Sequence, residues 1–286
     1  MKRRNFIQLG IAGLVGCGGN QRADEVSVKA GPFILRVPAK WQTLTEVEKV
    51  ALRPLYSREG WKNYQTDEQY ALKPAYACRP QHWAIRVPGA LPEGIPFNST
   101  NPGDDPTAPQ ILIHKAEEWG VAFTDGEHQQ TTAADRLRSL RESMNAAMSE
   151  DDSGPSPAYM DASLAFMCLK RRIDFTGGHG LRLVSQWSIE PELMRRGELH
   201  YLFLGMSDDN SCQIIGTFPL NLPGLPTSEQ KNHLGRSSQN YEDFSKNYEG
   251  YVQDAKKWLE TYVDEITPSI QTLDEMMRSL VARRWE

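Results

Sequence analysis

Residues 164–220 alternate strand-forming runs with tight turn signals, and that alternation leaves few folds open to the chain. The run 164–175 reads as a strand, Thr176-Gly177-Gly178-His179-Gly180 as a turn, and 181–187 as the returning strand, with Leu181, Leu183 and Trp187 on one face. After a loop around 190–197, residues 199–206 run out, Ser207-Asp208-Asp209-Asn210 turns, and 212–220 runs back. Pro219, Pro223 and Pro226 stop the last strand. Consecutive antiparallel strands of this kind make a meander, the predicted heart of a sheet.

Three further strands are expected before it. Phe33, Leu35 and Val37 alternate with Ile34 and Arg36 and end at Pro38; residues 82–87 end at Pro88; residues 110–114 form the third. Residues 42–75 mix charges and aromatics without clean periodicity. The Pro-, Gly- and Asp-rich stretch 88–109 reads as a long exposed loop. Thr131 or Thr132 is suited to cap a helix reaching Met148, with Ala134, Leu137, Leu140, Met144 and Met148 at helical spacing. The acidic stretch 150–157 reads as a solvated linker, because it lacks the alternating ligands, central Gly and terminal Glu of a calcium loop. At the C-terminus, Tyr251, Val252, Ala255, Trp258, Leu259, Tyr262 and Val263 mark one apolar helical stripe. Ile270, Leu273, Met276, Met277, Leu280 and Val281 mark a second, capped at Ser269. The expected fold class is α+β, an antiparallel meander with the C-terminal helices covering one face.

The N-terminus has a different character. Lys2, Arg3 and Arg4 form a positive n-region, and residues 6–15 form an apolar run too short to span a bilayer. The run closes on Leu14-Val15-Gly16-Cys17, which resembles the lipobox of bacterial lipoproteins. That resemblance implies lipidation of Cys17 as the first residue of the mature chain, a membrane attachment through acyl chains, and a body outside the cytoplasm in the cell envelope. Arg3, Arg4 and Phe6 also resemble a twin-arginine export signal, with departures at Lys2 and Gln8. The expected organisation is a signal peptide over 1–16, a lipid-anchored tether over 17–30, and one α+β domain over 31–286. Gly18 after Cys17 favours an outer membrane where there is one. The opening strand with Val37-Pro38-Ala39-Lys40-Trp41 is similar to the start of PsbP-like domains, which pack helices against an antiparallel sheet. Tyr201-Leu202-Phe203-Leu204-Gly205-Met206-Ser207-Asp208-Asp209 with Phe218-Pro219 resembles a region of bacterial lipoproteins to which no activity attaches.

Charge and motifs narrow the function classes. The formal charge of the chain is −5, and loss of Lys2, Arg3 and Arg4 with a signal peptide takes it to −8. Such a body disfavours non-specific nucleic-acid binding, so no nucleic-acid partner is expected. Of the four cysteines, lipidation of Cys17 leaves Cys78, Cys168 and Cys212, as one disulfide and a thiol or as three thiols. The histidines show no metal-site spacing, no Gly-x-Ser-x-Gly elbow occurs, and no cofactor motif is present, so no catalytic, cofactor-binding or metal residues are assigned. The glycines of 177–180 feed a strand rather than a helix N-terminus and so read as a turn, not a phosphate cradle. The expectation is a non-catalytic binding or scaffold lipoprotein, with a protein or small-molecule partner that the sequence does not name. The alternative is an envelope hydrolase using an Asp/Glu pair brought together by the fold.

Overall fold

A computed structural model describes residues 24–51, 53–54, 78–95, 105–118, 138, 142, 163–226, 234 and 240–285. Its strands are β1 (Glu25–Ala30), β2 (Phe33–Pro38), β3 (Glu46–Val50), β4 (Arg53–Pro54), β5 (Cys78–Arg79), β6 (His82–Arg86), β7 (Gln110–Lys115), β8 (Ser163–Leu164), β9 (Cys168–Phe175), β10 (Gly178–Ser188), β11 (Leu199–Ser207) and β12 (Cys212–Pro219). The helices are α1 (Ala39–Gln42), α2 (Tyr241–Lys246), α3 (Tyr248–Thr261) and α4 (Ile270–Arg278). An antiparallel sheet in the order β3-β6-β7-β12-β11-β10-β8, with β9 also paired to β10, forms the body. The fold is α+β, with the meander of β9 to β12 extended by β7, β6 and β3.

Side-chain parity sorts the sheet into two apolar faces. On one, Ile85, Ile111, Ile113, Val184, Tyr201, Phe203, Ile214 and Phe218 join Leu259, Leu273, Met276 and Met277 from the C-terminal helices. On the other, Ala84, Leu112, Leu181, Leu183, Leu202, Leu204 and Ile215 form a second cluster. Each fully buried Leu, Ile or Phe contributes roughly 1.5–3 kcal/mol of transfer free energy, which is why strands apolar on both faces sit in the middle of the sheet. No helix among the described residues is long and apolar enough to cross a membrane.

Both C-terminal stripes lie on one face of the sheet as expected, and Ser269 caps α4 through Thr272 N–H (3.2 Å). The second stripe does not stay helical to its end. Leu280 and Val281 lie beyond α4, and Val281 exchanges backbone hydrogen bonds with Ile34 of β2 (2.8 and 3.1 Å). Thr176 bonds to Leu280 and Ala282 on the other side (3.1 and 2.8 Å). This short segment therefore bridges the β1–β2 hairpin and the β9–β10 turn.

Several expectations are corrected. Residues 25–30, expected within the tether, form β1, where Val26, Val28 and Ala30 alternate with polar residues and the strand pairs with β2 along its whole length. Residues 46–50, left unassigned by their charges, form the edge strand β3, where Glu46, Glu48 and Lys49 are exposed. The stretch 88–109 is not wholly exposed: Ala90, Ile95 and Ala108 are buried. The turn after β9 is confined to Thr176 and Gly177, the latter at φ +85°, while Gly178, His179 and Gly180 belong to β10. Of the helix predicted over 131–148, Arg138 and Glu142 are described, both helical and exposed; the rest, like the 150–157 linker, lies outside the described residues.

Glycine has a packing role at one cross-strand pair. Gly180 and Gly205 stand opposite each other on β10 and β11, on the helix-covered face. A Cβ on either would meet the Phe203 ring (2.5 Å from Gly180, 2.6 Å from Gly205). The two missing side chains make the depression in which that ring lies.

Candidate functional site

Arg182 sits in the apolar run Leu181-Arg182-Leu183-Val184, with parity opposite to Leu181 and Leu183. Its side chain therefore turns toward the helices and is 6% exposed. A buried guanidinium requires an anion and hydrogen-bond acceptors. Asp274, on α4 and 2% exposed, supplies the anion. Arg182 Nε donates to Asp274 Oδ1 and Nη2 to Oδ2, both at 3.1 Å, a bidentate fork. Tyr201 Oη donates to Oδ1 at 3.1 Å from β11. Burial, reinforced by the Asp274 charge, holds the Tyr201 hydroxyl well above its ordinary pKa, so it stays a donor.

The third arm of Arg182 is satisfied by backbone. Nη1 donates to the carbonyl of Leu169. Arg182 pairs with Arg171 and Val184 with Cys168, so Leu169 and Lys170 together oppose Leu183 alone, a β-bulge in the edge strand. Leu169 takes φ +50°, an uncommon conformation for a residue with a branched side chain. The bulge is what presents the Leu169 carbonyl to the guanidinium.

Two more arginines approach the same carboxylate from the surface. Arg278, one turn along α4, places Nη2 3.6 Å from Asp274 Oδ2, and Arg171 places Nη1 3.9 Å from it. Their side chains are 39% and 61% exposed. The arrangement holds one carboxylate among three guanidiniums and one phenol.

The opposite face carries a separate set of polar residues. His82 and His114 pair across β6 and β7 with ring centroids 4.7 Å apart, and the His82 Nδ1 lies 2.8 Å from the Pro80 carbonyl. His200 on β11 is buried with Nδ1 2.8 Å from the Glu198 carbonyl. Burial pulls its imidazole down to about 4, against an upward pull from that hydrogen bond. At the β11–β12 turn, Asp209 Oδ1 accepts from Ser207 Oγ, Ser211 Oγ and Ser211 N (2.7, 2.7 and 3.0 Å), which lowers its carboxyl to about 2.

Cys168 and Cys212 are both reduced and buried, so they do not form a disulfide with each other. Burial pushes the Cys212 thiol up, the opposite of what a nucleophile needs. Among the described residues no group of three or more His, Cys, Asp or Glu side chains is placed to hold a metal ion. Cys17, Arg3, Arg4 and Phe6 lie outside the described residues.

Sequence reasoning passes over Asp274, which sits among the polar residues of the last helix like Glu275 beside it. One signal was present: an arginine at a core-facing position of a strand demands a buried partner. No protein-family model, curated protein or solved structure matches the chain.

Proposed function

We propose that the chain is a lipid-anchored protein of a bacterial cell envelope, held by Cys17, whose α+β body lies outside the cytoplasm and binds a partner or ligand without catalysing a reaction. The anchoring half rests on the positive n-region, the apolar run and Leu14-Val15-Gly16-Cys17. Arg3, Arg4 and Phe6 support export by the twin-arginine route.

One observation carries the binding half. Asp274 is the one buried carboxylate among the described residues, and its two oxygens are committed to Arg182 and Tyr201. A carboxylate fixed in this way is a poor general base, since protonating it would unpair a buried guanidinium. What the cluster offers instead is a rigid, positively charged surface feature.

The body also sits close to its anchor. Glu25 opens β1 eight residues after Cys17. At about 3.5 Å per extended residue, that connection reaches at most about 28 Å. The β1–β2 hairpin is therefore held near the membrane surface.

The test is metabolic labelling with palmitate, wild type beside Cys17→Ala. Label in the wild type alone is expected; equal label in both, or in neither, sinks the anchoring proposal. Thermal shifts of the full chain in detergent against sugars, nucleotides and envelope fragments test the binding half. A ligand at a hundred times its dissociation constant stabilises the fold by about 2.7 kcal/mol.

A further inference from the structure

We infer that Arg171 and Arg278 form a binding site for a phosphoryl oxyanion, with the Arg182–Asp274 pair as its buried floor. Arg171 and Arg182 stand directly opposite each other on β9 and β10, on the same face of the sheet. Like charges at directly paired positions repel, and only an anion between them makes the placement tolerable. Asp274 supplies one negative charge, already gripped by both arms of the Arg182 fork and by Tyr201. Arg171 and Arg278 approach it at 3.9 and 3.6 Å, beyond hydrogen-bond length, so their donors are not spent there. Neither has a second acidic partner among the described residues. Three guanidiniums against one carboxylate leave two positive charges locally uncompensated, on a chain whose net charge is −5.

Geometry selects the ligand class. Both guanidiniums converge on the same oxygen, Asp274 Oδ2, from the solvent side. A tetrahedral oxyanion presents separate oxygens to two planar forks, which suits phosphoryl better than a single small anion. The floor is fixed before any ligand arrives. Arg182 and Asp274 are both more than nine-tenths buried, and the Leu169 bulge at φ +50° locks the third arm of Arg182. Backbone strain of that kind persists only where its surroundings over-determine it. A soluble phosphate ester and a phospholipid headgroup offer the same chemistry. The site deepens the binding reading above but does not depend on Cys17, so loss of palmitate label leaves it untouched.

The experiment is calorimetric titration of the full chain in nonionic detergent with inorganic phosphate, in low-chloride buffer. Saturable binding is expected in the wild type. Arg171→Gln and Arg278→Gln should each weaken it about tenfold, and the double variant should abolish it while unfolding at the wild-type temperature. Arg278→Lys should keep part of the affinity, because charge survives while the fork does not. No saturable heat in the wild type, or unchanged affinity in the double variant, overturns the proposal. A second arm mixes Cys17→Ala chain with phosphatidylcholine vesicles, with and without phosphatidylglycerol. Retention on the anionic vesicles alone, competed by phosphate, identifies a headgroup; phosphate binding without retention identifies a soluble ester. Retention on anionic vesicles that the double variant does not lose, with no phosphate binding, overturns the site.

Discussion

Arg182 and Asp274 are 92 residues apart in sequence and meet in a two-pronged hydrogen bond that ties the middle of the sheet to the last helix. The pair joins β10 to α4 on a face where most of the joining is apolar. Such a contact is directional. It fixes the rotation and the height of α4 over the sheet, which Leu273, Met276 and Met277 alone would leave free to slide.

Asp274→Ala should therefore be costly, by about 3–5 kcal/mol, since it strands a buried guanidinium without an anion. The triple change Arg182→Met, Asp274→Leu, Tyr201→Phe should recover most of that loss, because no buried charge then remains and Arg171 and Arg278 stay solvated. Urea unfolding of the three proteins checks both statements. A triple variant as unstable as Asp274→Ala would show that the loss came from helix packing instead.

His200 makes the stability depend on pH in a predictable direction. Its folded pKa, about 4, lies below the ordinary 6.5, so the unfolded chain takes up the proton first. The contribution is complete above pH 6.5, declines as pH falls, and is gone below about 4, where both states are protonated. The full swing is about 3 kcal/mol. His200→Asn keeps a donor for the Glu198 carbonyl and removes the titration. The wild type should lose stability relative to His200→Asn as pH falls through this range; parallel curves would exclude His200 as the source.

Gly205→Ala is expected to destabilise by about 1–3 kcal/mol through overpacking, because its new methyl meets the Phe203 ring. In a Phe203→Leu background the same change should cost clearly less. A double-mutant cycle read by thermal unfolding measures the coupling, and additive losses would place the strain in the backbone instead.

The proposed twin-arginine export has its own signature. Replacing Arg3 and Arg4 together by Lys keeps the n-region positive while removing the twin-arginine pair. The variant should accumulate as unlabelled precursor in the cytoplasm, by fractionation and palmitate labelling. Normal labelling would assign the chain to the general secretory route.

The strands were legible where period-2 alternation met a turn residue: β2, β6, β7, β11 and β12 stand within a residue or so of their sequence boundaries. The capped C-terminal helix was legible for the same reason, a local pattern with a local stop signal. What escaped was set by partners distant in sequence. Residues 25–30 look like a tether until Phe33–Pro38 is present to pair with them. Gly178 and Gly180 look like turn residues until Phe175 and Phe203 show why strand positions there must lack side chains. Asp274 looks like a solvated helix residue until Arg182 is seen beneath it. Periodicity reports which side of an element is apolar; it does not report where two polar exceptions on separate elements coincide.

The backbone bonds between Ile34 and Val281, and between Thr176 and Ala282, set an order of events during synthesis. The hairpin of β1 with β2 finds this main-chain partner only once residue 281 has been translated. Until then, the amide and carbonyl of Ile34 face solvent and the Thr176–Gly177 turn is open on one side. A nascent chain paused or truncated before this point carries an unfastened β1–β2 hairpin. Fastening of the β1–β2 hairpin is thereby made a late step, one that follows translation of every strand of the meander.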